Sequence, residues 1–379
     1  MRLLVPFGTR PEIVKLAPVV AALRGHGHEV RAVATGQHGD PRLADDFLAD
    51  LALEPDARWA LPGREADRVG ALLTRAYDEL NRHPVDAVVV LGDTHTVPLF
   101  GLAARRSGVG VVHLEAGLRS FNERSLEEVH RRAAAAICSL HLAPTALAAS
   151  LLHAEGVDSR RVVVVGNPIT DTLASFGPPR RHPTERAGAV FTAHRATNVD
   201  DPARLAAVVD CAVGLADALG TVTFPVHPRT DARLRDAGLH EVLGRHPGVL
   251  LREPLRYREM LDAVARARVV VTDSGGLQEE AAWLGVPVVV LRRSTPRWEG
   301  VLAGTTALVG VDAGRAVAAA RRLADPAEQA RVAAVACPYG DGRVGERVAR
   351  LLDEPAVRAL LTLHEPDFTG GAPPALVAS

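Results

Sequence analysis

Three carboxylates in this chain are placed where they could move protons. Asp93 stands in Leu-Gly-Asp-Thr-His-Thr (91–96), directly after an apolar run. Glu115 stands in His-Leu-Glu-Ala-Gly-Leu-Arg-Ser-Phe (113–121), after another. Glu127 opens Leu-Glu-Glu-Val-His-Arg-Arg (126–132). Acids that converge on one cleft repel, so one is driven to a higher pKa and the roles of acid and base separate. Each also has a plainer use. Asp93 fits the N-cap of a following helix. Glu127 and Arg131, four residues apart, fit an ordinary ion pair on one helix face.

Cations accompany the acids. Pro-Phe-Gly-Thr-Arg-Pro-Glu (6–12) ends one apolar run and opens a helix, where free backbone N–H groups attract anions. Arg10 and Lys15 lie on its first turns. Of 44 basic residues, Lys15 is the single lysine. A compact ammonium on a flexible stem does what a rigid guanidinium fork does not. His194, in Phe-Thr-Ala-His-Arg (191–195), could donate to a leaving phosphate or serve as a structural histidine; Val-His-Pro-Arg (226–229) is a weaker companion. The densest constellation is Thr-Asp-Ser-Gly-Gly-Leu-Gln-Glu-Glu (272–280). Ser274, Gly275 and Gly276 would bring backbone amides close to a phosphate at a helix start. Glu280, about one turn in, suits two ribose hydroxyls. Arg292 and Arg297 come next, near the following apolar run.

Repeated strand–helix units must position these residues. Short β-branched runs without polar alternation predict buried parallel strands: Arg2–Phe7, Glu29–Ala34, Ala87–Leu91, Gly110–Leu114, His141–Ala143 and Val162–Val165. Helical periodicity falls on Pro11–Arg24, Arg68–Asn81, Val97–Ser107, Leu126–Ile137 and Ala146–Glu155. Phe176–Arg186, rich in proline and arginine, reads as a linker. The alternation then restarts. Strands are expected at Ala189–Thr192, Thr221–Pro225, Val249–Arg252, Val269–Thr272, Val286–Leu291 and Ala307–Val309. Helices are expected at Pro202–Leu219, Arg229–Ala237, Arg256–Ala265, Leu277–Leu284 and Ala313–Leu323. This is α/β: two Rossmann-like, doubly wound parallel-sheet domains facing a cleft. The division falls at 1–168 and 169–345, with a frayed tail over 363–379.

Composition narrows the partners. A net charge of −1 argues against nucleic acid or an anionic membrane. Three scattered cysteines without Cys-x-x-Cys argue against disulfides and a cysteine zinc site, and fit a cytoplasmic setting. No Gly-x-Gly-x-x-Gly follows the first strand, so the dinucleotide fingerprint is absent, and the P-loop, Gly-x-Ser-x-Gly, His-Glu-x-x-His and Asp-x-Asp are missing. No metal or redox cofactor is therefore expected.

Taken in order, the motifs resemble those of the non-hydrolysing UDP-N-acetylglucosamine 2-epimerases, which have the glycosyltransferase-B fold. GTRPEIVKLAPVV, TGQH, GDT, HLEAGLRS, EE-x-x-R, GNPITDTL, TAHR, HPRT, EPL-x-Y, TDSGGLQEE and PYGDG span nearly the whole chain. The resemblance implies interconversion of UDP-GlcNAc and UDP-ManNAc. A C2 proton is removed, UDP is eliminated to leave a 2-acetamidoglucal, and UDP adds back after protonation of the opposite face. By matched position it implies Arg10, Lys15, Asp93, Glu115, Glu127, Arg131 and His194 as the catalytic set. Ser274, Gly275, Gly276, Glu280, Arg297 and Tyr257 would join Arg10 and His194 in holding UDP. It further implies a homodimer and a terminal helix, about 346–362, that packs back on the first domain.

The chain departs from that pattern in places. Ala196 and Thr197 replace a basic–acidic pair, His130 stands where asparagine is usual, and Trp298 replaces a proline. TGQH continues as Gly-Asp-Pro. These changes bear on the family's second, activating UDP-GlcNAc site and on the sugar accepted. Three other functions fit the same residues: a hydrolysing epimerase, a glycosyltransferase, and a non-catalytic UDP-sugar sensor.

Overall fold

The structure, a computed structural model, describes residues 1–36, 48–367 and 369. The Gly39–Pro41 departure and most of the 363–379 tail lie outside the described residues.

Two all-parallel sheets form the frame. The first runs β3-β2-β1-β4-β5-β6-β7, made of β1 Arg2–Phe7, β2 Glu29–Ala34, β3 Ala57–Arg58, β4 Ala87–Leu91, β5 Gly110–Leu114, β6 Leu140–Ala143 and β7 Val162–Val164. The second runs β10-β9-β8-β11-β12-β13, made of β8 Ala189–Thr192, β9 Val222–Pro225, β10 Val249–Arg252, β11 Val269–Thr272, β12 Val288–Val290 and β13 Thr306–Leu308. β4 and β5 are buried at every position, which is what a parallel strand covered on both faces requires. Strand order reverses between β1 and β4, and again between β8 and β11. Such switch points open a crevice at the carboxyl ends of the strands. Arg10 comes after β1, Asp93 after β4, His194 after β8 and Ser274 after β11, so candidate site residues line both crevices.

The two halves bind each other through the end of the chain. The helix Val344–Asp353 buries Val344, Val348, Ala349 and Leu352 in the same core as Leu3, Phe7 and Leu16. Asp171 accepts from the N–H groups of Val344 (2.8 Å) and Gly345 (2.7 Å) at its start. Pro355 breaks the terminal stretch into two helices, the second being Pro355–Leu361.

Some elements differ from expectation. The strand expected at Val286–Leu291 is confined to Val288–Val290. Helices Ile169–Phe176, Leu239–Arg245 and Pro326–Ala334 carry too few apolar positions, or are too short, for periodicity to reveal them. The 176–186 stretch is more than a linker. Arg186 is buried and donates to the carbonyls of Gly285 (2.7 Å), Leu284 (3.0 Å) and Arg181 (3.0 Å). Its stem packs while its fork satisfies backbone, so a charged residue does the work of an apolar anchor.

Candidate active site between the two sheets

The loop after β1 and the loop after β4 are joined by Glu12, which also closes the Thr-x-x-Glu capping box with Thr9 at the helix start. Buried Glu12 accepts from the N–H of Gly8 (2.9 Å) and Thr9 (2.8 Å) and from the Thr94 hydroxyl (2.8 Å). Burial holds its pKa up despite these donors. One carboxyl group thus fixes the first anion-facing turn against the loop that carries Asp93.

Asp93 is held from the helix Leu126–Ile137. Arg131 reaches its Oδ2 through Nε (2.9 Å) and Nη2 (2.8 Å). His130 donates from Nδ1 to the Asp93 carbonyl (2.8 Å), so the unusual histidine keeps a hydrogen-bonding role. Burial opposes ionisation of Asp93, but Arg131, Arg297 and Lys15 together outweigh it and hold the carboxyl below its ordinary range. Its side chain remains 27% exposed.

The suggested ion pair of Glu127 with Arg131 does not form. Arg131 is buried and spans Asp93 and Glu128 instead. Glu128 also accepts from the N–H (2.7 Å) and hydroxyl (2.9 Å) of Ser120, which ties the 116–121 loop to the helix. Glu127 is half-buried and accepts from the Ser125 hydroxyl. Burial works against its charge, yet Ser125 and the nearby Arg195 bring its pKa down.

Glu115 lies at the centre. Its backbone takes φ +61°, costly for a residue with a Cβ and characteristic of functional positions. Gly117 sits two residues on at φ +86°, where a Cβ would lie 2.2 Å from the Ala148 carbonyl oxygen; only glycine fits the turn. Glu115 Oε1 takes the Lys15 ammonium at 2.6 Å and the Asn167 amide at 2.7 Å, with Arg297 at 3.6 Å. Lys15 is shared with Glu279 Oε2 at 2.7 Å, and Glu279 Oε1 takes Arg297 Nε at 2.8 Å and Asn167 at 3.0 Å. Lys15 and Glu115 come from the first sheet's connections, Glu279 and Arg297 from the second's. Burial disfavours the Lys15 charge, but Glu115 and Glu279 more than compensate and raise its pKa. Burial likewise opposes the Glu279 charge, and Arg297 with Lys15 pulls its pKa down.

From the second sheet, His194 Nδ1 lies 2.9 Å from Asp273, and Asp273 accepts from the N–H of His194 and Arg195 and from Asn198. Asp273 therefore fixes the ring as an orienting carboxylate does. His227, from the weaker motif, tilts against His194 with ring centroids 5.6 Å apart. Its pKa is lowered by burial, by His194 and by Arg229 and Arg10. Arg10 thus approaches from the opposite half. Ser274 caps the helix Gly275–Leu284, Gln278 bonds back to the Ser274 carbonyl (2.9 Å), and Thr295 holds Gln278 (2.9 Å). Tyr257 lies against Glu280 and stacks on Phe176 at 5.8 Å. Burial, with a contribution from Glu279, raises the Glu280 pKa to about 7 against the pull of Tyr257. Arg292 is the counterpart in charge. Burial above all, joined by Arg195, Arg297 and Arg131, lowers its pKa to about 9. Four cations gathered in this way make a seat for an anion.

The description "UDP-N-acetylglucosamine 2-epimerase" belongs to the family model that matches residues 21–353 of this chain. The chain belongs to that family. The UDP-N-acetylglucosamine 2-epimerase of Methanocaldococcus jannaschii is 34% identical over 367 residues, which are 93% of this chain and 99% of that protein. Its crystal structure in complex with UDP-GlcNAc and UDP superposes with a TM-score of 0.82, at 32% identity over 93% of this chain and 99% of that one. The Staphylococcus aureus protein MnaA, solved with UDP, gives a TM-score of 0.84 at 31% identity, over 97% of this chain and 99% of that one. The UDP-2,3-diacetamido-2,3-dideoxy-D-glucuronate 2-epimerase of Pseudomonas aeruginosa is 32% identical over 93% of this chain and 99% of that protein. The two parallel-sheet domains are those of the epimerases with the glycosyltransferase-B fold, and the chain is an epimerase. Among the described residues, no helix is long and apolar enough to cross a membrane.

Proposed function

We propose that this epimerase interconverts UDP-GlcNAc and UDP-ManNAc in the cleft between its sheets. The observation that carries the reading is the Glu115–Lys15–Glu279–Arg297 network, in which carboxylates and cations from both halves meet in one buried place. In the reaction a carboxylate takes the C2 proton. The electron pair of the C–H bond becomes the C1=C2 bond, and the C1–O bond breaks with its pair going to the β-phosphate oxygen of UDP. A second acid then protonates C2 from the other face while that oxygen re-forms the bond to C1. Nothing is oxidised or lost, and only one configuration changes.

Asp93 is the group best suited to meet the sugar. It is held ionised, and both Arg131 contacts fall on Oδ2, which leaves Oδ1 available. Glu115 is more deeply held and Glu127 stands at the helix start, so the three differ in environment as acid and base must. His194, fixed by Asp273, donates toward the departing phosphate, and Ser274, Gly275, Gly276, Arg10, Arg292 and Arg297 supply the rest of the diphosphate seat. Glu280, set by Tyr257, takes the ribose hydroxyls. Residues 1–168 and 169–345 act as the two closing halves and exclude water from the glycal. The relatives solved with UDP-GlcNAc or UDP support this arrangement. A cytoplasmic homodimer completes the proposal, and sedimentation velocity at micromolar concentration should give twice the monomer mass.

Incubation with UDP-GlcNAc and observation by 1H and 31P NMR tests the activity. UDP-ManNAc should accumulate to a constant ratio with the diphosphate intact. Free mannosamine with stoichiometric UDP would mean a hydrolysing enzyme, and an unaltered sugar would mean transfer or sensing.

The seat itself gives two more expected outcomes. Arg292→Ala should weaken UDP binding roughly 10- to 100-fold by calorimetry, since a hydrogen bond to a charged group is worth about 1.5–3 kcal/mol. The apparent melting temperature without UDP should not fall, because the residue is crowded by other cations. The second outcome concerns Glu280, whose raised pKa favours its neutral form at low pH. Ribose hydroxyls are best accepted by the carboxylate, so UDP affinity should rise with pH through 7, by about tenfold between pH 6 and 8. UDP's own phosphate titrates near 6 in any variant. The difference between wild type and Glu280→Gln therefore isolates the residue, and identical pH profiles would remove it from ribose recognition.

A further inference from the structure

On the far side of the helix Leu126–Ile137 from Asp93, a separate cavity of about 430 Å³ is lined by Arg105, Arg132, Arg161, His141, Glu155 and Asp158, among others. Its two acids are already engaged. Glu155 is gripped by Arg119 through Nε (2.8 Å) and Nη2 (2.5 Å), and Asp158 by Arg160 at 2.7–3.1 Å. Its three arginines are differently placed. Arg105 and Arg161 are both anchored on Ser139, the first on its hydroxyl (3.3 Å) and the second on its carbonyl (2.9 Å). Two guanidinium groups are thereby drawn to one residue whose side chain carries no charge. Arg132 makes long contacts, 3.6 Å to Glu128 and 3.7 Å to Glu155. Glu155 offsets Arg132 and Arg161 also donates to the Leu360 carbonyl (3.2 Å), but among the described residues Arg105 and Arg161 meet no carboxylate at Ser139, and like charges so placed repel unless an anion joins them.

An independent observation points the same way. His141 is 1% exposed and lines this cavity; its ring is hydrogen-bonded to the Cys138 backbone, and among the described residues its Nδ1 has no further partner. A buried ring nitrogen is ordinarily satisfied. A neutral imidazole can present one N–H to an oxyanion without carrying charge itself.

We propose that this cavity is a second anion site, distinct from the cleft, which takes a phosphate-sized oxyanion, free or as the phosphate of a small ester. Three guanidinium forks match phosphate oxygens in geometry as well as charge. The site opens behind the helix that carries Glu127 and Arg131, and Arg132 touches Glu128, which holds the 116–121 loop. Its occupant would therefore sit one residue away from the acid machinery without touching the sugar.

Calorimetric titration of inorganic phosphate into the full chain, with the cleft filled by saturating UDP, reads the site directly. One phosphate should bind per chain. Arg105→Glu should weaken that binding at least tenfold, Arg105→Lys by less than threefold, and both should leave epimerase turnover and UDP binding unchanged, since Arg105 is exposed and remote from the cleft. His141→Phe should weaken binding severalfold, and circular dichroism should report that it folds. Glycerol 3-phosphate titrated in parallel separates the sources: tighter binding than phosphate marks an ester, weaker binding the free anion. Absence of phosphate binding, or equal affinity in wild type and Arg105→Glu, would overturn the proposal. The inference does not depend on the epimerase reading. If UDP failed to bind, the comparison of wild type with Arg105→Glu would still decide it.

Discussion

Asp93→Asn is expected to bind UDP within about threefold of wild type and to lose C2 proton exchange by roughly 10³-fold or more. The substitution keeps shape and hydrogen bonding to Arg131 but removes the charge that accepts a proton. Positioned acid–base catalysis is worth about 10²–10⁴-fold. Loss of an anion beside Arg131 and Arg297 has a further cost, because both cations help to keep the carboxyl ionised. Arg131 keeps Glu128 as a partner, so the helix should stay in place and the fold should be retained. The measurement is deuterium incorporation at C2 of UDP-GlcNAc in heavy water, with calorimetry for UDP. Unchanged exchange would take Asp93 out of the mechanism. Loss of exchange together with loss of UDP binding would mean that its role is to hold the site together.

Lys15→Met should be costly for stability and activity alike. Lys15 is buried with its nitrogen between Glu115 Oε1 (2.6 Å) and Glu279 Oε2 (2.7 Å), one from each half of the molecule. Removing one member of a buried ion cluster leaves uncompensated charge, at about 3–5 kcal/mol. For a chain of this size that is a fall of roughly 4–6 °C in the unfolding midpoint. Turnover should drop below detection, because the link that joins the halves also holds Glu115. Lys15→Arg should not rescue it. Two carboxylates converge on a single nitrogen here, and a planar fork has neither the point geometry nor the room. This gives a physical reason why a chain built with arginine everywhere else keeps one ammonium. Glu279→Gln combined with Lys15→Met should cost less than the sum of the two, with a coupling of about 0.5–3 kcal/mol by scanning calorimetry. Strict additivity would mean that the two residues act independently.

Much of this was legible in the sequence because strand ends are legible. Apolar β-branched runs at Ala87–Leu91, Gly110–Leu114 and Val269–Thr272 match the observed strands, and the residues just beyond each lie at a ligand-facing edge. Pairing was another matter. Spacing put Arg131 within reach of Glu127, but the choice of Asp93 and Glu128 depends on where β4 delivers its loop, which no helical periodicity encodes. Glu279 was hidden by its neighbour. Adjacent helix residues point about 100° apart, so Glu280 can face Tyr257 while Glu279 faces Lys15, and a ribose role for one says nothing of the other. Asp273 lies in Thr-Asp-Ser-Gly-Gly, yet its use as the anchor of His194 appears only when β8 and β11 lie side by side. Asn167 and Glu128 are a buried amide and acid whose value is in joining loops, a property of tertiary contact; the Thr-x-x-Glu pattern marks Glu12 as a capping-box residue, but its bond to Thr94 is again tertiary.

In the proposed reaction the C1–O bond breaks and re-forms inside a closed cleft. It can be tested with UDP-GlcNAc carrying ¹⁸O in the oxygen that bridges C1 and the β-phosphorus. Isotope-shifted 31P NMR during turnover should show the label spreading into the non-bridging β-phosphate positions, at a rate set by bond cleavage and by rotation of the held β-phosphate. Epimerisation with the label fixed in the bridge, and with no 2-acetamidoglucal or UDP recovered on rapid quench during turnover, would mean that the sugar changed configuration without ever leaving UDP.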